Sequence, residues 1–148
     1  MTKDIIKEYG DVLHDASYIT DTELAVIPVS PKIDIALGGG VPEGSLFIMT
    51  GPEKVGKTVT ALTFCANCQD AERKVYYGSI EGRLRKRDLE GIVGLSTESD
   101  NLEIIGSTQG NILSAEKYLG IFDNLIHTQP DCICVVDSFS ALSSESEL

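Results

Sequence analysis

The stretch Gly51, Pro52, Glu53, Lys54, Val55, Gly56, Lys57, Thr58, followed by Val59, carries the residue types best suited to chemistry in this chain. Its pattern, Gly-x-x-x-x-Gly-Lys-Thr, wraps successive backbone N–H groups around phosphate oxygens. Gly51 and Gly56 allow the bends this needs. Lys57 supplies a point charge to the β and γ phosphates, and the Thr58 hydroxyl is placed to ligate Mg²⁺. A helix beginning at Lys57 would add its positive dipole end to the same site. The spacing therefore predicts a site for a nucleoside triphosphate, ATP with Mg²⁺. A dinucleotide site would need Gly-x-Gly-x-x-Gly, which the loop does not have.

Two acids fit the same chemistry. Asp137 closes the run Ile133-Cys-Val-Val-Asp137, and an ionised carboxylate at the end of a buried strand calls for a counter-charge. A hydrated Mg²⁺ provides one, which makes Asp137 the second metal-binding candidate beside Thr58. A plainer role, capping the next turn with Ser138, is open to the same residue. Glu81 ends the run Val75-Tyr-Tyr-Gly-Ser-Ile80. From there a carboxylate could polarise a water for attack on the γ-phosphate, with Lys57 as the other candidate catalytic group. Spacing alone describes equally well a solvated glutamate beside the basic run Arg83-Leu-Arg85-Lys86-Arg87.

These residues need elements to bring them together. Ser45-Leu-Phe-Ile-Met-Thr50 reads as a buried strand entering the loop, and a helix is expected from about Lys57 to Asp70. Strands are expected from Lys74 or Val75 to near Glu81, over Leu102–Ile105 and over Cys132–Asp137. A helix is expected over Arg85–Leu95. Another should bury one face carrying Ile112, Ala115, Leu119, Phe122 and Ile126. Lys32–Leu37 reads as a short helix stopped by Gly38-Gly-Gly40. Strands alternating with helices predict an α/β fold with a mainly parallel sheet flanked by helices. In such a sheet, ligands bind at the carboxyl ends of the strands, where Glu81 and Asp137 stand. Upstream, Ile5, Ile6, Tyr9, Val12, Leu13 and Ala16 follow helical spacing over residues 4–16, and residues 17–30 read as a linker or edge strand.

The bulk numbers bound the rest. A chain of 148 residues suits one domain, and 42% hydrophobic with 24% charged residues is ordinary for a soluble globular protein. No apolar run approaches the ~18 residues that cross a bilayer, and the N-terminus lacks the apolar core of a secretory signal, so the cytoplasm is the expected location. The net charge of −11 argues against this stretch wrapping DNA by itself. Four cysteines, at 65, 68, 132 and 134, fall as two close pairs inside apolar elements, which predicts buried, reduced thiols rather than a zinc site.

Taken together, the loop, Glu81 and Asp137 resemble the ATPase core of the RecA-type recombinases, from about Ile33 to Leu142. Ala36-Leu-Gly-Gly-Gly-Val-Pro-Glu-Gly44 is similar to the segment leading into that family's first core strand. The Gly-Pro-Glu opening of the loop is similar to that of bacterial RecA. Val136-Asp-Ser-Phe-Ser-Ala-Leu142 resembles the Asp-Ser-x-x-Ala-Leu closing the family's metal-binding strand. The resemblance implies a P-loop NTPase fold and matches Glu81 to the family's catalytic glutamate. It also suggests Arg85 or Arg87 as a guanidinium stacking on adenine, although Asp88 holds the aligned position. Ser79 stands where the family usually has Asp.

The implied activity is that of a DNA-dependent ATPase of homologous recombination and repair, forming homo-oligomeric filaments on single-stranded DNA. Residues 31–148 correspond to the N-terminal part of the core. Residues 1–30 form a short helix and linker that would dock on a neighbouring subunit. The chain ends eleven residues after Asp137, so the resemblance places the DNA-binding loops and further strands beyond residue 148, leaving the sheet incomplete. The short N-terminal segment is similar to phage versions, which would work in the host-cell cytoplasm. The alternatives are a replicative helicase of the same superfamily and a nucleotide-binding module without turnover.

Overall fold

The computed structural model describes residues 25–147. The amphipathic segment at 4–16 lies outside them, as does most of the linker that follows it.

In chain order the elements are β1 (Val26–Ile27), α1 (Pro31–Leu37), β2 (Val41–Pro42), α2 (Lys57–Asp70) and β3 (Val75–Ser79). They continue with α3 (Lys86–Glu90), β4 (Leu102–Ile105), α4 (Ala115–Thr128), β5 (Ile133–Asp137) and a 3-10 turn at Phe139–Ala141. The fold is α/β. β3 pairs in parallel with β4 on one side and with β5 on the other, in the order β4-β3-β5. β1 and β2 form a separate antiparallel pair. That pair is tied to α2 and its C-terminal end by Asn67, which donates to Pro28 O at 2.7 Å, and by the Arg73–Glu43 ion pair at 2.8 Å.

Strand alternation sorts the core into two layers. On one face of the sheet, Val75, Tyr77, Ile133 and Val135 pack with Ala61, Leu62, Cys65 and Cys68 of α2. On the other, Tyr76, Cys132, Cys134 and Val136 pack with Tyr118 and Phe122 of α4. The two cysteine pairs therefore lie on opposite faces of the sheet, which rules out one shared zinc site for all four. Burial pushes the Cys65 and Cys68 thiols up to about 12. Gly78 is what lets α4 settle on its layer. A Cβ there would stand 2.7 Å from Phe122 Cζ, closer than packed carbons approach.

Three expectations are corrected by this arrangement. Ser45–Thr50 has no regular secondary structure and pairs with no described strand, and Leu46 and Ile48 stand 87% and 70% exposed. An apolar run makes a strand only where it pairs with a neighbour's backbone, and this run lies against none of the described strands. The helix expected over Arg85–Leu95 is one short turn, Lys86–Glu90, closed by Gly91, whose N–H donates to Arg87 O at 3.0 Å. The buried stripe of α4 runs through Tyr118, Phe122 and Leu125, leaving Leu119 and Ile126 exposed. Tyr118 wins the inward position because its hydroxyl is satisfied there, accepting from Ser107 N at 3.0 Å.

Candidate functional site

The loop before α2 keeps its shape through its own lysine. Lys57 Nζ donates to Gly51 O at 2.9 Å and to Pro52 O at 2.7 Å, so the chain from 51 to 57 closes around the ammonium. Lys54 and Gly56 take left-handed conformations, with φ of 61° and 94°. At Gly56, the N-cap of α2, the missing Cβ removes the usual penalty for that conformation. From Gly51 to Thr58 no backbone N–H donates to a described residue. These groups stand next to the first turn of a fourteen-residue helix, whose end favours negative charge.

Asp137 reaches this loop from the far end of the chain. Residues 133, 135 and 137 share one face of β5, and that face packs against α2, so the last of them meets the first turn of α2. Thr58 Oγ1 donates to Asp137 Oδ2 at 2.9 Å across 79 residues of sequence. A second hydroxyl converges on the same oxygen: Tyr77 OH donates to Asp137 Oδ2 at 2.7 Å. Tyr77 is fully buried, and its phenol is held well above its usual range, first by desolvation and then by the bond to Asp137. An unpartnered hydroxyl there would cost roughly 1–3 kcal/mol. The pair Thr58 and Asp137 offers an all-oxygen donor set, which suits a hard divalent cation such as Mg²⁺.

Glu81 sits at the neighbouring strand end but is held differently. Ile80 N donates to Asp137 O at 2.9 Å, which aligns the exits of β3 and β5. Ser138 Oγ then donates to Glu81 Oε1 at 3.0 Å, and Arg83 pairs with Glu81 Oε2 at 3.1 Å. Glu81 is thus joined to the residue after Asp137, with no described bond to the loop itself.

Arg85 and Arg87 are not brought to this cluster. The Arg85 backbone N–H donates to Asp88 Oδ2 at 2.9 Å as the start of α3, and Arg87 pairs with Asp88 at 3.6 Å. Asp88 therefore serves as the helix-capping acid, a use that its position three residues after Arg85 could have signalled. The Tyr77–Asp137 and Ser138–Glu81 bonds are the contacts that reading the sequence missed, while the exposed Arg83–Glu81 pair is the glutamate beside a basic run that spacing also allowed. Tyr77 had a usable signal, since a tyrosine inside a buried strand needs a partner for its hydroxyl.

A protein-family model described as the RecA N-terminal domain matches residues 3–148. Protein RecA of Oleidesulfovibrio alaskensis is 35% identical over 129 residues, covering 86% of this chain and 34% of that protein. Protein RecA of Streptomyces coelicolor is 34% identical over 131 residues, or 87% of this chain and 33% of that protein. Protein RecA of Acidothermus cellulolyticus is 36% identical over 125 residues, or 83% of this chain and 34% of that protein. The chain spans about a third of the length of the curated relatives it matches.

Proposed function

The chain belongs to the RecA family, matching its N-terminal region, and from this premise we propose that it is the nucleotide-binding part of a DNA-dependent recombination ATPase. The observation that carries the reading is the 2.9 Å bond between Thr58 and Asp137. It joins a phosphate-binding loop to a strand-end acid, the two halves of a site for ATP with Mg²⁺ in a P-loop NTPase.

In this reading the N–H groups from Gly51 to Thr58 bind the phosphates, with Val59 continuing the helix that points at them. Lys57 exchanges its carbonyl partners, Gly51 O and Pro52 O, for the charge-assisted and stronger bond to phosphate oxygen. Thr58 and Asp137 hold Mg²⁺, which when bound offsets phosphate charge and orients the β and γ groups. Glu81 orients the attacking water and accepts its proton. Arg85 is assigned to the adenine, which requires it to approach from the start of α3. Residues 1–30 are assigned to docking on a neighbouring subunit in a filament on single-stranded DNA, and residues 31–148 to the ATPase core.

A second reading, nucleotide binding without turnover, has one observation in its favour. The segment Ser45–Thr50 has no described sheet partner and Glu81 no described bond to the loop, so the described contacts hold the binding loop to Asp137 and not to the candidate catalytic acid.

Titration with a fluorescent ATP analogue in Mg²⁺ tests the site. Lys57→Ala should weaken binding by roughly 10–100-fold, the loss of one charge-assisted contact or more. Wild-type affinity in Lys57→Ala would sink the assignment. Phosphate release with and without single-stranded DNA, in this chain and in a longer form of the protein, then separates binding from turnover.

A further inference from the structure

Tyr77 does two separable things. Its ring fills the core between β3 and α2, among Leu62, Cys65 and Val135. Its hydroxyl leaves that core and reaches the strand-end acid, 2.7 Å from Asp137 Oδ2. The core needs only the ring. The hydroxyl has one described partner, and that partner is also held by Thr58 at 2.9 Å.

The geometry has a consequence for the carboxylate. Asp137 Oδ2 receives both hydroxyls, one from α2 and one from β3, while Oδ1 accepts no bond from the described residues. Two donors arriving at one oxygen from different elements fix the place of Oδ2 and restrict the turning of the group. A single donor from Thr58 would leave it free to turn about that bond. Both hydroxyls stand on elements of the packed core, so neither depends on a loop for its placement.

We propose that Tyr77 is a positioning residue for the metal-binding acid: its buried hydroxyl holds the Asp137 carboxylate beside Thr58, leaving Oδ1, which accepts no bond from the described residues, for the divalent cation. The proposal rests on the nucleotide-site reading above. Partners that orient a metal-binding group in this way are worth about 10–100-fold in metal affinity when removed.

The test is the Tyr77→Phe variant, which removes the hydroxyl and keeps the ring. Mn²⁺ serves as the probe, its binding to the protein–ATP complex followed by electron paramagnetic resonance. Nucleotide affinity is measured in parallel in EDTA. Tyr77→Phe should weaken Mn²⁺ binding about 10–100-fold while leaving metal-free nucleotide affinity within about twofold. A purely structural role would move both or neither. Asp137→Asn is the reference. If Asp137→Asn loses Mn²⁺ binding and Tyr77→Phe keeps it, the positioning role is overturned and the site reading stands. If Asp137→Asn also keeps it, the site reading itself fails. Should Tyr77→Phe fail to fold, 3-fluorotyrosine at position 77 keeps both ring and hydroxyl. Its ¹⁹F resonance should shift with ATP and Mg²⁺ and not with ATP in EDTA; no metal-dependent shift would overturn the proposal.

Discussion

Asp137 ends β5 and Glu81 follows two residues after the end of β3, yet their surroundings suit them to different tasks. Asp137 is held by two hydroxyls on packed elements, Thr58 and Tyr77, whereas Glu81 is exposed and held by Ser138 and by Arg83, itself 84% exposed. A carboxylate fixed from two sides suits a metal, while one held loosely at the surface can reorient toward a water. In a longer, DNA-stimulated form of the protein, Glu81→Gln should lower steady-state phosphate release by roughly 10²–10⁴-fold, the usual contribution of a positioned base. Nucleotide affinity should stay within about twofold, because Glu81 has no described contact with the loop. Arg83→Ala should change turnover little, since an exposed ion pair holds its partner weakly. Turnover unchanged in Glu81→Gln would reassign the residue to the solvated surface. Of the candidates the sequence offered, the meeting of Thr58 with Asp137 was legible, because one opens α2 and the other closes β5 at the same sheet edge. Tyr77 and Ser138 were not, because a hydroxyl's partner depends on which strands become neighbours.

At the scale of elements, α4 rests on β3 through one missing methyl group. Gly78 faces Phe122, and its absent Cβ is the space the ring occupies. Gly78→Ala should destabilise the fold by about 1–3 kcal/mol, the usual cost of overpacking a close-fitted core. Adding Phe122→Leu should recover part of that loss, and urea unfolding of the two single variants and the double variant measures the coupling. Strict additivity would show that the contact does not hold α4 in place. The element record also shows what sequence patterns resolve. α2 was legible from Lys57 to Asp70 because its loop and its apolar spacing agree, and β4 because four apolar-rich residues stand between turns. α4 was placed along the chain and its inward Phe122 was legible, but Tyr118 takes the place expected of Leu119, its hydroxyl accepting from Ser107 N, and Ile112 and Ile126 stand exposed. Ser45–Thr50 carries every mark of a buried strand, and composition cannot say whether its partners are present.

For the whole molecule, that segment sets a conflict between charge and exposed surface. Leu46, Ile48 and part of Phe47 are exposed beside a backbone with no described sheet partner, a template for pairing with another copy. Against this stands the net charge of −11, whose mutual repulsion keeps copies apart at low ionic strength. The Debye length falls from about 30 Å at 0.01 M salt to about 8 Å at 0.15 M, so added salt removes the repulsion and leaves the apolar attraction. The 148-residue chain should therefore sediment as a monomer at low salt and associate as salt rises, without nucleotide. Leu46→Ser with Ile48→Ser should abolish that association. The two substitutions lie on an exposed segment before the loop, so nucleotide affinity should fall only where loop placement depends on them. Association by the filament reading behaves in the opposite way, requiring ATP and surviving these substitutions. Sedimentation across a salt series, with and without ATP, separates the two. Salt-driven association that persists unchanged in the double variant would move the adhesive surface elsewhere, with the exposed Leu119 and Ile126 of α4 next to be tested.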